Sequence, residues 1–229
     1  MIMGTILLLV VAGTAAGIFL AFRDDEKRSA PATTEAATTT GETAPATTVA
    51  TVDVERTMRA AGCTFDRTPA APANHISSPS QAVRYSTFPP ATGTHHPLPA
   101  IWGAYNTPID PRQVVHNEEH GGVIVWYGSK LSAEARDRIG QFYLEDPNGL
   151  LITPLSEAAP HVSYPPHEPL RARIALTAWT VPDDVAQDEQ AGVVAICPRF
   201  DAQAFRAFRD AFRGKGPERF PVEDLEPGT

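Results

Sequence analysis

The first 22 residues of the chain, from Met1 to Phe22, contain no charged side chain and are rich in leucine, valine, isoleucine, alanine and glycine. As a helix rising about 1.5 Å per residue, such a segment would span roughly 33 Å, enough to cross the hydrocarbon core of a bilayer. A cleaved signal peptide is the alternative, but the sequence from Leu20 to Arg23 offers no good small-residue cleavage site. We therefore predict an uncleaved transmembrane signal anchor over residues 1–22, which leaves the globular fold to the residues after it.

The next segment, residues 23–53, is mostly threonine, alanine and proline, with hardly an aromatic or large aliphatic side chain. Such a stretch cannot bury enough apolar area to offset the entropy lost on ordering it. We predict a flexible linker. Threonine- and proline-rich stalks of this kind are typical O-glycosylation substrates outside the cell.

Two observations disagree about the orientation of the anchor. Arg23, Lys27 and Arg28 follow it, which alone would favour a cytoplasmic carboxyl-terminal side. The composition of the stalk and the two cysteines, Cys63 and Cys197, fit an oxidising compartment better, where they would form one disulfide. We predict a single-pass protein of the cell membrane, with its globular domain outside the cytoplasm and a disulfide between these cysteines.

The formal net charge of −8 and the lack of a lysine or arginine stripe argue against nucleic acid as a partner, because phosphates require basic neutralisation. The membrane is the partner that the sequence indicates. A protein or cell-wall partner stays unknown.

We assign residues 54–220 to the globular domain and residues 221–229 to a carboxyl-terminal tail. The stretch from Asp66 to Pro111 is so dense in proline that it predicts a long ordered loop rather than helix. Apolar runs and helical spacing beyond it predict an α+β fold, a single domain with one mixed or antiparallel sheet and two main helices against one face. The predicted strands are a short one at 83–86 within the proline-rich segment and those at 121–128, 150–153, 171–181 and 193–197, and the helices are 133–144 and 201–212.

The five residues from His116 to His120 read His-Asn-Glu-Glu-His and precede Gly121 and Gly122. Two imidazoles four residues apart point the same way in a helix or in a strand, so the pattern leaves the backbone open. Neutral imidazole suits zinc, copper, iron and nickel. His116 and His120 are therefore candidate metal ligands.

The loop-rich half of the domain offers further candidates. His95 or His96 could supply a third ligand, and His75 or a carboxylate a fourth. Three protein ligands and a water would make a catalytic zinc-type site, whereas four would make a structural one. All three methionines lie outside any histidine cluster, so zinc or copper(II) fits better than copper(I).

Which glutamate would act at the site depends on whether the backbone of the motif is a helix or a strand. In a helix Glu119 lies near the face of His116, whereas in a strand Glu118 shares the face of both histidines. Either could be a base or an acceptor that orients an imidazole. The pattern also matches the His-x-x-Glu-His motif of zinc proteases, but Gly121 and Gly122 would end the long helix that this motif needs.

A structural alternative needs no metal. The histidines could hydrogen-bond to loop carbonyls and hold the proline-rich segment in place, provided that every polar group is satisfied. The protein would then be a non-catalytic envelope binding or scaffold protein. The residues alone leave open whether it is an enzyme.

Two motifs in the right order show a family resemblance. The sequence HNEEHG, from His116 to Gly121, is similar to a His-Asn-Leu-Glu-His-Gly core, and PPATGTH, from Pro89 to His95, is similar to Pro-Pro-Thr-Ser-Gly-x-His. Both are features of the bacterial domain-of-unknown-function family 3105, which this chain resembles over most of Cys63 to Glu218. Further similar points are Gly62-Cys63, His75, Tyr85, Trp102-Gly103, Tyr105, Ala178-Trp179 and Pro217-Glu218.

The resemblance implies a membrane anchor and a domain boundary but no activity. It selects His95 over the additional His96 as the third ligand. It also selects Glu119, as a catalytic base or as an acceptor that orients an imidazole, over Glu118, whose position is usually leucine in the family. The change from leucine to glutamate implies that position 118 is less buried here.

Overall fold

The computed structural model describes residues 53–181 and 189–229. The predicted anchor, and the linker apart from Asp53, lie outside the described residues. Within the described part of the chain, no helix is both long enough and apolar enough to span a bilayer.

A mixed five-stranded sheet forms the centre of the domain. Its strands are β1 (Asp66–Pro69), β3 (Val123–Tyr127), β4 (Leu150–Pro154), β6 (Ile174–Thr180) and β7 (Ala191–Cys197), in the spatial order β1-β7-β6-β3-β4. β3 and β4 are parallel, and the other neighbouring pairs in this sheet are antiparallel. A separate parallel pair joins β2 (Val83–Arg84) to β5 (Val162–Ser163). The predicted α+β class with a mixed sheet is confirmed.

The described residues form four α-helices and a short 3-10 helix at Val222–Asp224. The α-helices are α1 (Val54–Ala60), α2 (Pro111–Glu119), α3 (Ala133–Glu145) and α4 (Ala202–Phe212). Each begins after a residue whose side chain accepts a hydrogen bond from the first turn, namely Asp53, Asp110, Ser132 and Asp201. α3 and α4 are the two main helices that the sequence predicts, while α1 and α2 are additional.

Helices α1, α3 and α4 cover one face of the sheet. Val123 and Val125 of β3 lie there in one apolar cluster with Phe205 and Phe208 of α4. The same cluster contains the Cys63–Cys197 disulfide, which joins the segment after α1 to the end of β7 across 134 residues. The predicted disulfide is therefore present.

Helix α2 and the proline-rich segment cover the opposite face. Ile124 and Trp126 of β3 cluster there with Val114 of α2 and with Trp102. The two predicted helices, α3 and α4, pack against one face as expected, whereas the additional helix α2 buries Val114 and Val115 on the other side of the sheet. β3 is consequently buried on both faces.

Residues 221–229, which the sequence separates as a tail, pack against the domain. Leu225 is buried in the cluster beside α2, and the carbonyl oxygen of Thr229 accepts a 3.0 Å hydrogen bond from the backbone of Trp102.

Candidate metal centre

Helix α2 brings the two histidines of the motif onto one side. It begins at Pro111, whose fixed φ suits the first helical position, and ends at Glu119, with His120 as the capping residue. Gly121 follows with a φ of +93°, a left-handed conformation that favours glycine. The sequence does not decide between helix and strand for this motif, and the structure shows a helix. The ring centroids of His116 and His120 lie 4.5 Å apart.

Backbone hydrogen bonds fix the proline-rich segment against α2. The backbones of His75 and His95 form a bridge, and the backbone of His96 donates to the carbonyl oxygen of Arg112 at 3.0 Å. The side chain of Asn117 adds to these bonds: its Nδ2 donates to the carbonyl oxygen of Ala100 at 2.8 Å, and its Oδ1 accepts from the N–H of Ala100 at 2.9 Å. These contacts position the imidazole of His95 beside α2.

Among the described residues, two groups of side chains each bring their donor atoms within 4.8 Å of one another and could hold a metal ion. The four-ligand group consists of His75, His95, His116 and Glu119. The three-ligand group consists of His116, His120 and Glu218. His116 belongs to both.

Backbone carbonyls orient two of these imidazoles. Nδ1 of His95 lies 2.8 Å from the carbonyl oxygen of Gly93, and Nδ1 of His116 lies 2.7 Å from that of His96. Because a carbonyl oxygen only accepts, each Nδ1 carries the proton, and Nε2 of the neutral ring carries a lone pair. Metal-binding histidines are usually held in this way.

The Nε2 atom of His95 lies in an unusual environment. It is 3.0 Å from Oε2 of Glu119, yet this buried nitrogen has no hydrogen-bond partner among the described residues. A buried lone pair facing a carboxylate is costly unless a cation or proton lies between them. Two atoms each about 2.0–2.1 Å from a tetrahedral zinc ion would be roughly 3.3 Å apart, so this spacing resembles an edge of a coordination sphere.

The three-ligand group lies at the end of α2. Nε2 of His120 is 3.0 Å from Nε2 of His116 and 3.2 Å from Oε2 of Glu218. Glu218 lies on the segment after α4, whose backbone binds the end of α2. The N–H of Gly214 donates to the carbonyl oxygen of Gly121, and that of Glu218 to the carbonyl oxygen of Glu119.

The electrostatics of the site suit a cation. Burial lowers the pKa of His116 and of His120 below the ordinary 6.5, so both rings are neutral at pH 7. Burial raises the pKa of Glu119, but its contact with His95 and the neighbouring imidazoles outweigh that effect, so the net pKa lies below 4.5. His116 and His120 are therefore neutral and Glu119 is ionised, the protonation states that metal binding requires.

Glu118 lies outside both groups. The expectation that position 118 is less buried is wrong, because its side chain is completely buried. Burial raises the pKa of this carboxyl group well above 4.5, an effect that nearby Thr177 partly opposes. Neither carboxyl oxygen has a partner at normal hydrogen-bond geometry in the described part of the chain.

The structure thus brings His95, His116 and Glu119 together with His75, which the sequence names only as one option for a fourth ligand. It places His120 beside His116 in the second group, and His96 contributes a backbone carbonyl rather than its ring. Glu218 is not predicted as a site residue. Its only signal is the similarity of Pro217-Glu218 to the family.

A comparison with family models matches residues 75–220 to the family described as Protein of unknown function (DUF3105). Comparisons with curated proteins and with solved structures found no match. The matched span contains every member of both groups. The chain belongs to the DUF3105 family.

Proposed function

We propose that this protein is a membrane-anchored extracytoplasmic domain that binds a transition-metal ion through the four-ligand group, His75, His95, His116 and Glu119. The observation that carries the proposal is the buried Nε2 atom of His95. Its ring is oriented by the carbonyl of Gly93, and Nε2 lies 3.0 Å from a carboxylate oxygen of Glu119 without a hydrogen-bond partner.

The donor set favours zinc or copper(II). Imidazole and carboxylate are the ligands available, whereas copper(I) prefers thiolate or thioether sulfur. Met58 is buried in the core on the other face of the sheet, and both cysteines form the disulfide, so none of these sulfur atoms can bind a metal at the site.

The number of protein ligands favours a site that only binds the metal over a catalytic site for hydrolysis. Four protein ligands complete a tetrahedral sphere, whereas catalytic zinc sites keep one position open for water or substrate. In this proposal Glu119 is a ligand instead of the catalytic base that the sequence suggests. We therefore assign the protein a metal-handling role outside the cytoplasm.

The proposed location is supported by the disulfide, which is typical of oxidising compartments, and by the apolar segment at residues 1–22. A reporter that is active only outside the cytoplasm, fused after Thr229, tests it directly. We expect activity from this fusion, and activity only from a matched cytoplasmic reporter would refute the orientation.

Zinc titration of the purified, chelator-treated full chain tests metal binding. We expect one zinc ion per chain and a rise in melting temperature, because the binding free energy adds to the stability of the fold. His95→Ala should abolish high-affinity binding and most of the stabilisation.

His96→Ala is the matched control. It removes a neighbouring imidazole that lies outside both groups but keeps the backbone carbonyl that orients His116. Zinc should stabilise this variant as it does the wild type. If zinc leaves the wild-type melting temperature unchanged, the histidines form the hydrogen-bond network of a scaffold protein and the proposal fails.

A further inference from the structure

The two groups share a single donor atom. Nδ1 of His116 donates to the carbonyl oxygen of His96 at 2.7 Å, so only Nε2 is free to bind a metal. The same Nε2 lies 3.0 Å from Nε2 of His120. One lone pair coordinates one ion, so the two groups cannot both use His116 at the same time.

We infer that the two groups are successive positions of one metal ion. The ion is taken up by His116, His120 and Glu218, and it then moves to His75, His95, His116 and Glu119. His116 stays bound throughout, while the other ligands exchange. This inference rests on the proposed function and adds a route by which the ion arrives.

The exposure of the ligands gives the direction. The side chain of Glu218 is 55% exposed and that of His120 is 16% exposed, whereas those of His95 and Glu119 are 0% and 7% exposed. The exposed Glu218 and the partly exposed His120 can replace the water around an incoming ion one molecule at a time, before the buried His116 binds it. In the set of four, His95, His116 and Glu119 are buried and His75 is exposed, so this set holds the ion more tightly.

A backbone hydrogen bond holds the two groups of ligands next to each other. The N–H of Glu218 donates to the carbonyl oxygen of Glu119 at 3.0 Å, so a residue of the first group is bonded directly to a residue of the second. The ring of Phe220 lies 4.4 Å from that of His120, which limits the positions this imidazole can adopt. Little movement of the chain is needed for the ion to pass.

Cobalt(II) loading of the full chain tests the inference, because its visible absorption reports the number and geometry of the ligands. We expect the wild type to saturate at one cobalt ion per chain. His120→Ala and Glu218→Ala should each slow loading by about tenfold, which corresponds to about 1.4 kcal/mol at the rate-limiting step. Both should reach the wild-type final spectrum.

His95→Ala should show the complementary behaviour. It should still bind cobalt quickly through the three-ligand group, but with a different spectrum and with affinity weaker by more than about tenfold, the least that losing even an outer-shell partner costs. His96→Ala, the matched control, should load at the wild-type rate and give the wild-type spectrum.

Two results would overturn the inference while leaving the proposed function intact. Binding of two cobalt ions at saturation would indicate a two-metal site, and an unchanged loading rate in His120→Ala and Glu218→Ala would indicate direct entry past the exposed His75. If the wild type binds no cobalt or zinc, the proposed function itself fails.

Discussion

Consecutive residues of α2 point to different sides of the helix and serve different purposes. His116 and Glu119 face the proline-rich segment and meet His75 and His95. Asn117 binds both backbone groups of Ala100 and so fixes the segment that carries His95. The motif therefore supplies metal-binding atoms, and through Asn117 it also holds the segment that carries His95 in position.

Glu118 provides a prediction at the residue scale. Its pKa is raised in the folded state, so above pH 4.5 the unfolded chain releases this proton while the folded protein keeps it. Stability is then lost as the pH rises, with a slope of up to about 1.4 kcal/mol per pH unit. Glu118→Gln removes the titration and should be more stable than the wild type at pH 7, with a smaller difference near pH 4.5.

Chemical denaturation at both pH values measures the effect of Glu118→Gln. Glu223→Gln, on the exposed side of the 3-10 helix, is the control and should leave the stability nearly unchanged at either pH. A difference between Glu118→Gln and the wild type that is equal at the two pH values would show that Glu118 does not titrate as described.

At the scale of the elements, much of the fold can be predicted from the sequence. The apolar run around Val123–Tyr127 predicts β3, and the capping residues Ser132 and Asp201 predict the starts of α3 and α4. β1 is not predicted, because an edge strand of four residues that ends in Pro69 has no hydrophobic alternation.

The candidate site is less predictable than the fold. A spacing of four fits helix and strand alike, so the sequence cannot assign α2 or choose its side of the sheet. The bridge between the backbones of His75 and His95 leaves no trace in the spacing of the residues. Glu218 reaches α2 through a backbone contact that only the folded chain creates.

The contact between α2 and the segment after α4 gives a prediction at this scale. A Cβ atom on Gly216 would overlap the carbonyl oxygen of Glu119 and the backbone of Gly121. Gly216→Ala should therefore displace Glu218, lower the melting temperature and slow metal loading as Glu218→Ala does.

Gly140→Ala, in α3, is the control for Gly216→Ala. A Cβ atom there meets nothing within 4 Å, and alanine is the better helix former, so this variant should gain about 0.5–1 kcal/mol of stability. Melting curves of both variants test the contrast. Equal stability of the two would contradict a close contact at Gly216.

At the scale of the whole molecule, the disulfide joins the first and last thirds of the domain. Closing a loop of 134 residues would stabilise the fold by roughly 4–5 kcal/mol on chain-entropy arguments, an upper figure. The double variant Cys63→Ser, Cys197→Ser should lose a large part of this in chemical denaturation. A reductant should lower the stability of the wild type but not of the variant, and equal sensitivity of both would contradict the assignment.

Anomalous diffraction from crystals of the zinc-loaded protein tests the central claim most directly. We predict one zinc peak, about 2.0–2.2 Å from Nε2 of His95 and from a carboxylate oxygen of Glu119, with Nε2 of His116 in the same sphere. A saturated protein in which zinc does not contact Nε2 of His95 would contradict the proposal that this atom is a metal ligand.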